Sequence, residues 1–184
     1  MLFVISAPSG AGKTTIVKEL LKLHSDLIFS ISATTRKKRE TETHGKDYFF
    51  ISKDEFFDKI KNDELVEYEN VYKDDFYGTL KSFIDESLND GKHVIFDIDV
   101  KGALAIKKLY GDKAFLIYIM PPDVETLKKR LINRATENKE DIATREERFE
   151  MELSQKPHFD FVVINDELTK AVNEANGIIT TYKK

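Results

Sequence analysis

The 184-residue chain contains no cysteine. That excludes a disulfide framework and any zinc site built on thiolates. It has no long apolar run either. Leu2-Phe3-Val4-Ile5 is too short for the core of a secretory leader and lacks a basic lead-in, and no stretch approaches the ~20 apolar residues of a membrane helix. Positive charge is not in excess: the formal net charge is −4, so the surface as a whole does not attract nucleic acid or an anionic membrane. Internal repeats and low-complexity tracts are missing as well. The length predicts one globular domain, 1–184, and these absences read as cytoplasmic by default, with no nucleic-acid or membrane partner and with protein partners undefined.

What is present is an alternation of strand and helix patterns. Leu2–Ser6, Leu27–Ser32, His93–Ile98, Phe115–Met120 and Phe161–Ile164 read as strands. The first is a short apolar run, and the third and fourth are the near-continuous runs that mark strands covered on both faces. Helical spacing covers Lys13–Leu23, Lys81–Asn89, Ala103–Leu109 and Leu168–Ile179. Asp123, after Pro121-Pro122, is placed to cap a helix running to about Arg134, and a charged helix follows from about Ile142 to Gln155. Thr136–Asp141 reads as the connection between them. The middle of the chain has shorter strands, at Tyr48–Ile51, Leu65–Tyr72 and Phe76–Tyr77, around a helix at Lys53–Lys61. The expected fold is α/β: a parallel sheet covered by helices on both faces, interrupted by a mixed lobe.

Ala7-Pro8-Ser9-Gly10-Ala11-Gly12-Lys13-Thr14 follows the first strand and opens the first helix. It matches GxxxxGK[ST], the loop whose backbone N–H groups cradle phosphates, whose lysine reaches the β- and γ-phosphates and whose hydroxyl residue meets Mg²⁺. Ala7 stands where the first glycine is usual, which requires a negative φ there. The loop marks a nucleoside triphosphate site without saying which reaction follows, since kinases, GTPases and motors all carry it.

Arg36 and Arg39 are planar forks suited to a phosphate, with Tyr48 and Tyr77 as hydroxyl-bearing aromatics nearby in pattern. A solvated basic loop is the alternative for Arg36-Lys37-Lys38-Arg39. Asp97 and Asp99 close the buried strand, where unpaired charge is costly. Asp97 is placed for a magnesium ion, through water. Glu67 and Asp99 are the candidates to read a base: carboxylates only accept hydrogen bonds, guanine offers adjacent N1–H and N2 amino donors, and adenine offers an acceptor at N1.

These residues, together with Ser32–Arg39, Gly45-Lys46-Asp47-Tyr48, Tyr77-Gly78-Thr79, Asp97-Ile98-Asp99, Pro121-Pro122 and Val163-Ile164-Asn165-Asp166, resemble the guanylate kinase family over nearly the whole chain. The resemblance implies that Ser32, Glu67, Thr79 and Asp99 contact the guanine of GMP, and that Arg36, Arg39, Tyr48 and Tyr77 hold its phosphate. It implies that Ser9, Gly10, Ala11, Gly12, Lys13, Thr14 and Thr15 bind ATP, with Thr14 and Asp97 serving Mg²⁺, the expected cofactor. Arg134 and Arg145 would close over the transferring group from a lid, with Arg134 also at ATP, and Asn165 would lie near adenine. The catalytic set so implied is Lys13, Arg36, Arg134 and Arg145. The family's division into a core (about 1–33, 86–125 and 151–184), a GMP-binding lobe (about 34–85) and a lid (about 126–150) agrees with the strand pattern. Three places depart from the family pattern: Lys101 where glutamine is usual, Ala135 where glycine or asparagine is common, and a Glu67–Tyr77 spacing one residue longer. The implied activity is phosphorylation of GMP by ATP through in-line transfer. The alternatives are a non-catalytic interaction module of the same family, whose phosphate loop would be degraded, and a loop kinase with another acceptor.

Overall fold

The computed structural model describes residues 1–8, 10–72, 74–123, 125–126 and 151–183. In chain order the elements are β1 (Leu2–Ser6), α1 (Lys13–Leu23), β2 (Leu27–Phe29), β3 (Ala33–Thr34), β4 (Phe49–Phe50), α2 (Lys53–Lys61), β5 (Leu65–Tyr72), β6 (Asp75–Leu80), α3 (Lys81–Asn89), β7 (His93–Asp97), α4 (Val100–Tyr110), β8 (Ala114–Met120), β9 (Phe161–Ile164) and α5 (Leu168–Tyr182). Strands β2-β7-β1-β8-β9 form a parallel sheet with β1 at its centre.

All five residues of β1 are buried because side chains alternate between two covered faces. Phe3 and Ile5 pack with Ile16, Leu20, Ala175 and Ile179 from α1 and α5. Leu2 and Val4 pack with Ile84, Ala103 and Ile106 from α3 and α4. A near-continuous apolar run is what this double burial demands. The chain runs outward from β1 in both directions, so the carboxyl ends of β1, β7 and β8 meet at a reversal of strand order, where open α/β sheets place their ligands.

A second, mixed sheet has the order β4-β3-β6-β5. Its core is small: Ala33, Phe56 and Leu65, with Phe49, Phe76 and Leu80 against them. The strand expected over Leu27–Ser32 divides between the two sheets. Ser30 N–H still reaches Ile95 O in the first sheet at 2.9 Å, whereas Ser32 O accepts from Phe49 N in the second at 2.9 Å. An apolar pattern cannot show a change of partner. Helix α4 begins three residues before the expected Ala103 because Asp99 caps it, accepting from Gly102 N at 2.9 Å. The Asp123 cap is also in place, accepting from Thr126 N at 2.6 Å and Thr126 Oγ1 at 2.9 Å. The expected lid beyond Thr126, with the Thr136–Asp141 connection, Ala135 and most of the helix from about Ile142, lies outside the described residues. Among the described residues no helix is long and apolar enough to cross a membrane.

Candidate active site

The loop after β1 is built for backbone donors. Gly10 and Gly12 have φ of 87° and 92°, a left-handed conformation that L side chains disfavour. Ala7 does not have positive φ, so the one departure from the loop consensus is accommodated. Gly12 N-caps α1 with no side chain occupying the cap, so the first N–H groups of the helix face the loop. A Cβ at Gly12 would collide with Asn165 Nδ2, a second reason for glycine there.

Asn165 follows β9 and is buried. Its Nδ2 donates to Ala11 O at 2.7 Å. A loop that turns its N–H groups toward an anion must turn carbonyls away from it, and a buried carbonyl needs a donor. Asn165 supplies one. Its amide nitrogen is therefore directed at the loop backbone. Asn165→Leu, which preserves size, is expected to lower stability by about 1–3 kcal/mol, the usual cost of a buried unsatisfied polar group. Urea denaturation measures it; an unchanged midpoint would show that the contact carries no weight.

Asp97, at the end of β7, meets both chemical side chains of the loop. Thr14 Oγ1 donates to Asp97 Oδ2 at 2.6 Å, and Lys13 Nζ lies 3.0 Å from Asp97 Oδ1 while donating to Ile98 O at 2.8 Å. A hydroxyl beside a carboxylate is a hard-oxygen donor pair of the kind magnesium takes, with substrate phosphates and water completing the shell. Thr15 is exposed at the start of α1, its N–H returning to Gly12 O at 3.1 Å.

Two residues beyond Asp97 the chain enters a different cavity. A cleft of about 470 Å³ is lined by Glu67, Glu69, Asp99, Lys101 and Gly102 among others. Glu67 Oε1 accepts the Thr79 hydroxyl at 2.6 Å. Thr79 is fully buried, so its hydroxyl orients the carboxylate. Burial is the largest influence on Glu67 and raises its pKa; the charges of Asp99 and Glu69 push the same way, and the Thr79 hydrogen bond opposes them. Asp99 is oriented by its cap bond to Gly102. That glycine makes room for the pair, since a Cβ there would sit 3.3 Å from Glu67 Cγ and 3.4 Å from Asp99 Oδ1. Strand β5 carries two bulges against β6: between Leu65↔Leu80 and Tyr68↔Gly78, and again between Asn70↔Phe76 and Tyr72↔Asp75, β5 advances one residue more than β6. The first of these lies at Val66-Glu67, and a bulge re-aims a side chain.

A third group gathers at the mixed sheet. Arg36 Nε donates to the Tyr77 hydroxyl at 3.2 Å, and its guanidinium lies over the rings of Tyr48 and Phe50, 5.4 and 5.6 Å from their centroids. Thr34 Oγ1 accepts Arg36 N at 3.1 Å and helps set the direction of the residue. Arg39 is exposed nearby in sequence. Ser32 is partly buried at the crossing between the sheets. Ser9, Arg134 and Arg145 lie outside the described residues. The sequence reading overlooked Glu42, which forms an ion pair with Arg36 at 2.7 Å; an acid inside a basic loop was its only signal.

The guanylate kinase family model matches residues 1–182. The chain is 48% identical to the guanylate kinase of Bacteroides fragilis over 181 residues, 98% of this chain and 89% of the relative. It is 45% identical to that of Thermotoga maritima over 182 residues, 99% of this chain and 87% of the relative. The crystal structure of guanylate kinase from Anaplasma phagocytophilum superposes with a TM-score of 0.75 at 26% identity, covering 100% of this chain and 86% of that one.

Proposed function

The chain belongs to the guanylate kinase family, and from that premise we propose how its residues divide the work of its reaction, the phosphorylation of GMP to GDP by ATP. The observation that carries the proposal is the two-residue step from Asp97 to Asp99. Asp97 touches Lys13 and Thr14 of the phosphate loop, and Asp99 lines the cleft that holds Glu67. Two residues span at most about 7 Å, so the donor loop and the acceptor's base cleft are tied side by side.

ATP takes the Gly10–Thr15 loop, with Ser9 part of the same segment. Backbone N–H groups receive its phosphates, and Lys13 leaves Asp97 and Ile98 for the phosphate that moves. Thr14 and Asp97 would hold Mg²⁺, Asp97 through water. The ion neutralises charge on the phosphate oxygens when bound. The guanine edge of GMP enters the cleft with its N1–H and N2 amino donors toward Glu67 and Asp99, and the family resemblance assigns Ser32 to the same base. Thr79 acts through Glu67 by holding its carboxylate. Arg36, Arg39, Tyr48 and Tyr77 receive the GMP phosphate. A phosphate oxygen is already anionic, so in-line attack needs no general base; it needs cancellation of repulsion between two anions, which positive side chains provide. Arg134 and Arg145 are assigned to the same task from a lid at about 126–150 that excludes water and so prevents ATP hydrolysis.

A coupled assay tests the reading. Protein, ATP, Mg²⁺ and GMP should yield ADP and GDP, whereas AMP, CMP and UMP should barely react. Equal turnover of AMP and GMP would overturn the base assignment. The non-catalytic alternative is not favoured, since Gly12, Lys13 and Thr14 are all present in the loop.

A further inference from the structure

Glu42 sits at the centre of the group assigned to the GMP phosphate. Its Oε1 accepts from Arg36 NH2 at 2.7 Å and its Oε2 from Arg36 NH1 at 3.0 Å. The same Oε2 accepts the backbone N–H of Arg39 at 2.8 Å. One carboxylate therefore binds both arginines, one by its side chain and the other by its main chain. Arg36 NH1 also donates to Lys37 O at 2.8 Å, and Arg36 Nε to the Tyr77 hydroxyl at 3.2 Å.

A guanidinium carries five N–H groups. Four of those on Arg36 are thus committed before a nucleotide arrives, which leaves one, on NH2. Arg36 held this way has no two-pronged fork left for a phosphate. It has one N–H, and a neighbour that it polarises: the Tyr77 hydroxyl oxygen accepts from Arg36, so its own hydrogen remains to be donated. Charge follows the same division. Glu42 cancels the charge of Arg36, so the net positive charge offered to the phosphate falls to Arg39.

We propose that Glu42 is a positioning residue of the acceptor-phosphate site, holding Arg36 edge-on, turning the Tyr77 hydroxyl hydrogen outward and fixing the Arg39 backbone so that its fork can close on the phosphate. The proposal rests on the reading that Arg36, Arg39, Tyr48 and Tyr77 bind the GMP phosphate. A competing role, with Glu42 occupying the phosphate's own seat and leaving when GMP binds, fits the geometry less well. Glu42 belongs to the same turn as Arg39: its N–H bonds Arg39 O at 3.1 Å, and its carbonyl accepts from Lys38 Nζ at 2.8 Å. Leaving would break three charge-assisted bonds at once. The bonds from Arg36, and then from the Arg39 N–H, also pull the Glu42 pKa down to about 2, so the carboxylate stays ionised at working pH.

Glu42→Gln tests it. The amide keeps the shape, but one of the two accepting oxygens becomes an NH2 that faces N–H donors of Arg36 or Arg39. The KM for GMP is expected to rise roughly ten- to a hundredfold, the scale of lost charge-assisted bonds, with the KM for ATP unchanged. Guanosine, which has no phosphate, should inhibit variant and wild type with the same Ki, and that equality also shows that the cleft is folded. An unchanged or lowered KM for GMP would overturn the proposal, as would parallel weakening of guanosine and GMP. Arg39→Ala, measured beside it, separates the two layers. If it leaves the KM for GMP unaltered, the phosphate-site reading fails and the Glu42 proposal with it; if it raises that KM and Glu42→Gln does not, the Glu42 proposal fails alone.

Discussion

Replacing Lys13 with alanine is expected to reduce kcat for transfer from ATP to GMP by roughly 10²- to 10³-fold, the cost of removing one preorganised charge from a developing anionic centre. The fold should survive. Gly10 and Gly12 set the loop's course by their own φ angles, and Asn165 anchors it from the far strand through Ala11 O. The Lys13 ammonium rests on Ile98 O and beside Asp97 Oδ1. Both partners are at the carboxyl end of β7, so the charge is stored next to where a triphosphate would lie. Asp97 keeps its hydrogen bond from Thr14 when the lysine is gone. Single-turnover kinetics alongside thermal unfolding would separate chemistry from stability. Full activity in the variant would remove the loop from the reaction.

The second large effect is expected at Glu67. Glu67→Gln should cut kcat/KM for GMP by about 1–3 kcal/mol of transition-state binding, or roughly ten- to a hundredfold, and narrow the preference for GMP over AMP from both sides. A glutamine held by Thr79 through its oxygen would turn its NH2 toward the donors of guanine, while the same mixed edge suits adenine better than a carboxylate does. The substitution also carries a pH signature. Burial first, then Asp99 and Glu69, hold the Glu67 pKa above its ordinary value of 4.5. On the proposed assignment the carboxylate form reads guanine, and it is lost as pH falls through that raised pKa, so the KM for GMP should rise on the acid side. The second ionisation of a phosphate, near pH 6, contributes an acid limb of its own. Only the part that disappears in Glu67→Gln belongs to Glu67, and identical pH profiles for the two proteins would contradict the assignment.

How much of this was legible in the residues differs from element to element. The edges of α2 could be read because its cap is local: Ser52 accepts from Glu55 N at 3.1 Å, three residues away. β7 and β8 could be read because double burial requires nearly unbroken apolar runs. The phosphate loop could be read because its chemistry is carried by neighbours in sequence. Thr79 could be placed near the base pocket, but its hydroxyl faces Glu67 across the β5–β6 pairing, whose register depends on bulges that no alternation pattern reveals. The engagement of Asn165 with the loop's backbone could not be read, since the two are 154 positions apart. Glu42 gave only a weak signal, since an acid among basic residues is the ordinary composition of a solvated loop.

The α/β alternation and the phosphate-loop motif were determined by the sequence alone, because each rests on residues within a few positions of one another or on periodicity along one element, and family membership was too, because its motifs recur in order along nearly the whole chain. Only the tertiary structure decided which groups act together. Thr14 meets Asp97 across 83 positions, and Asn165 meets Ala11 across 154. Such pairs exist because parallel strands bring distant loops to one edge of a sheet. Nothing local specifies which oxygen of Asp97 meets Thr14 and which meets Lys13, or which oxygen of Glu67 is spent on Thr79. That allocation is made by packing, where each buried polar atom must find a partner at a set distance.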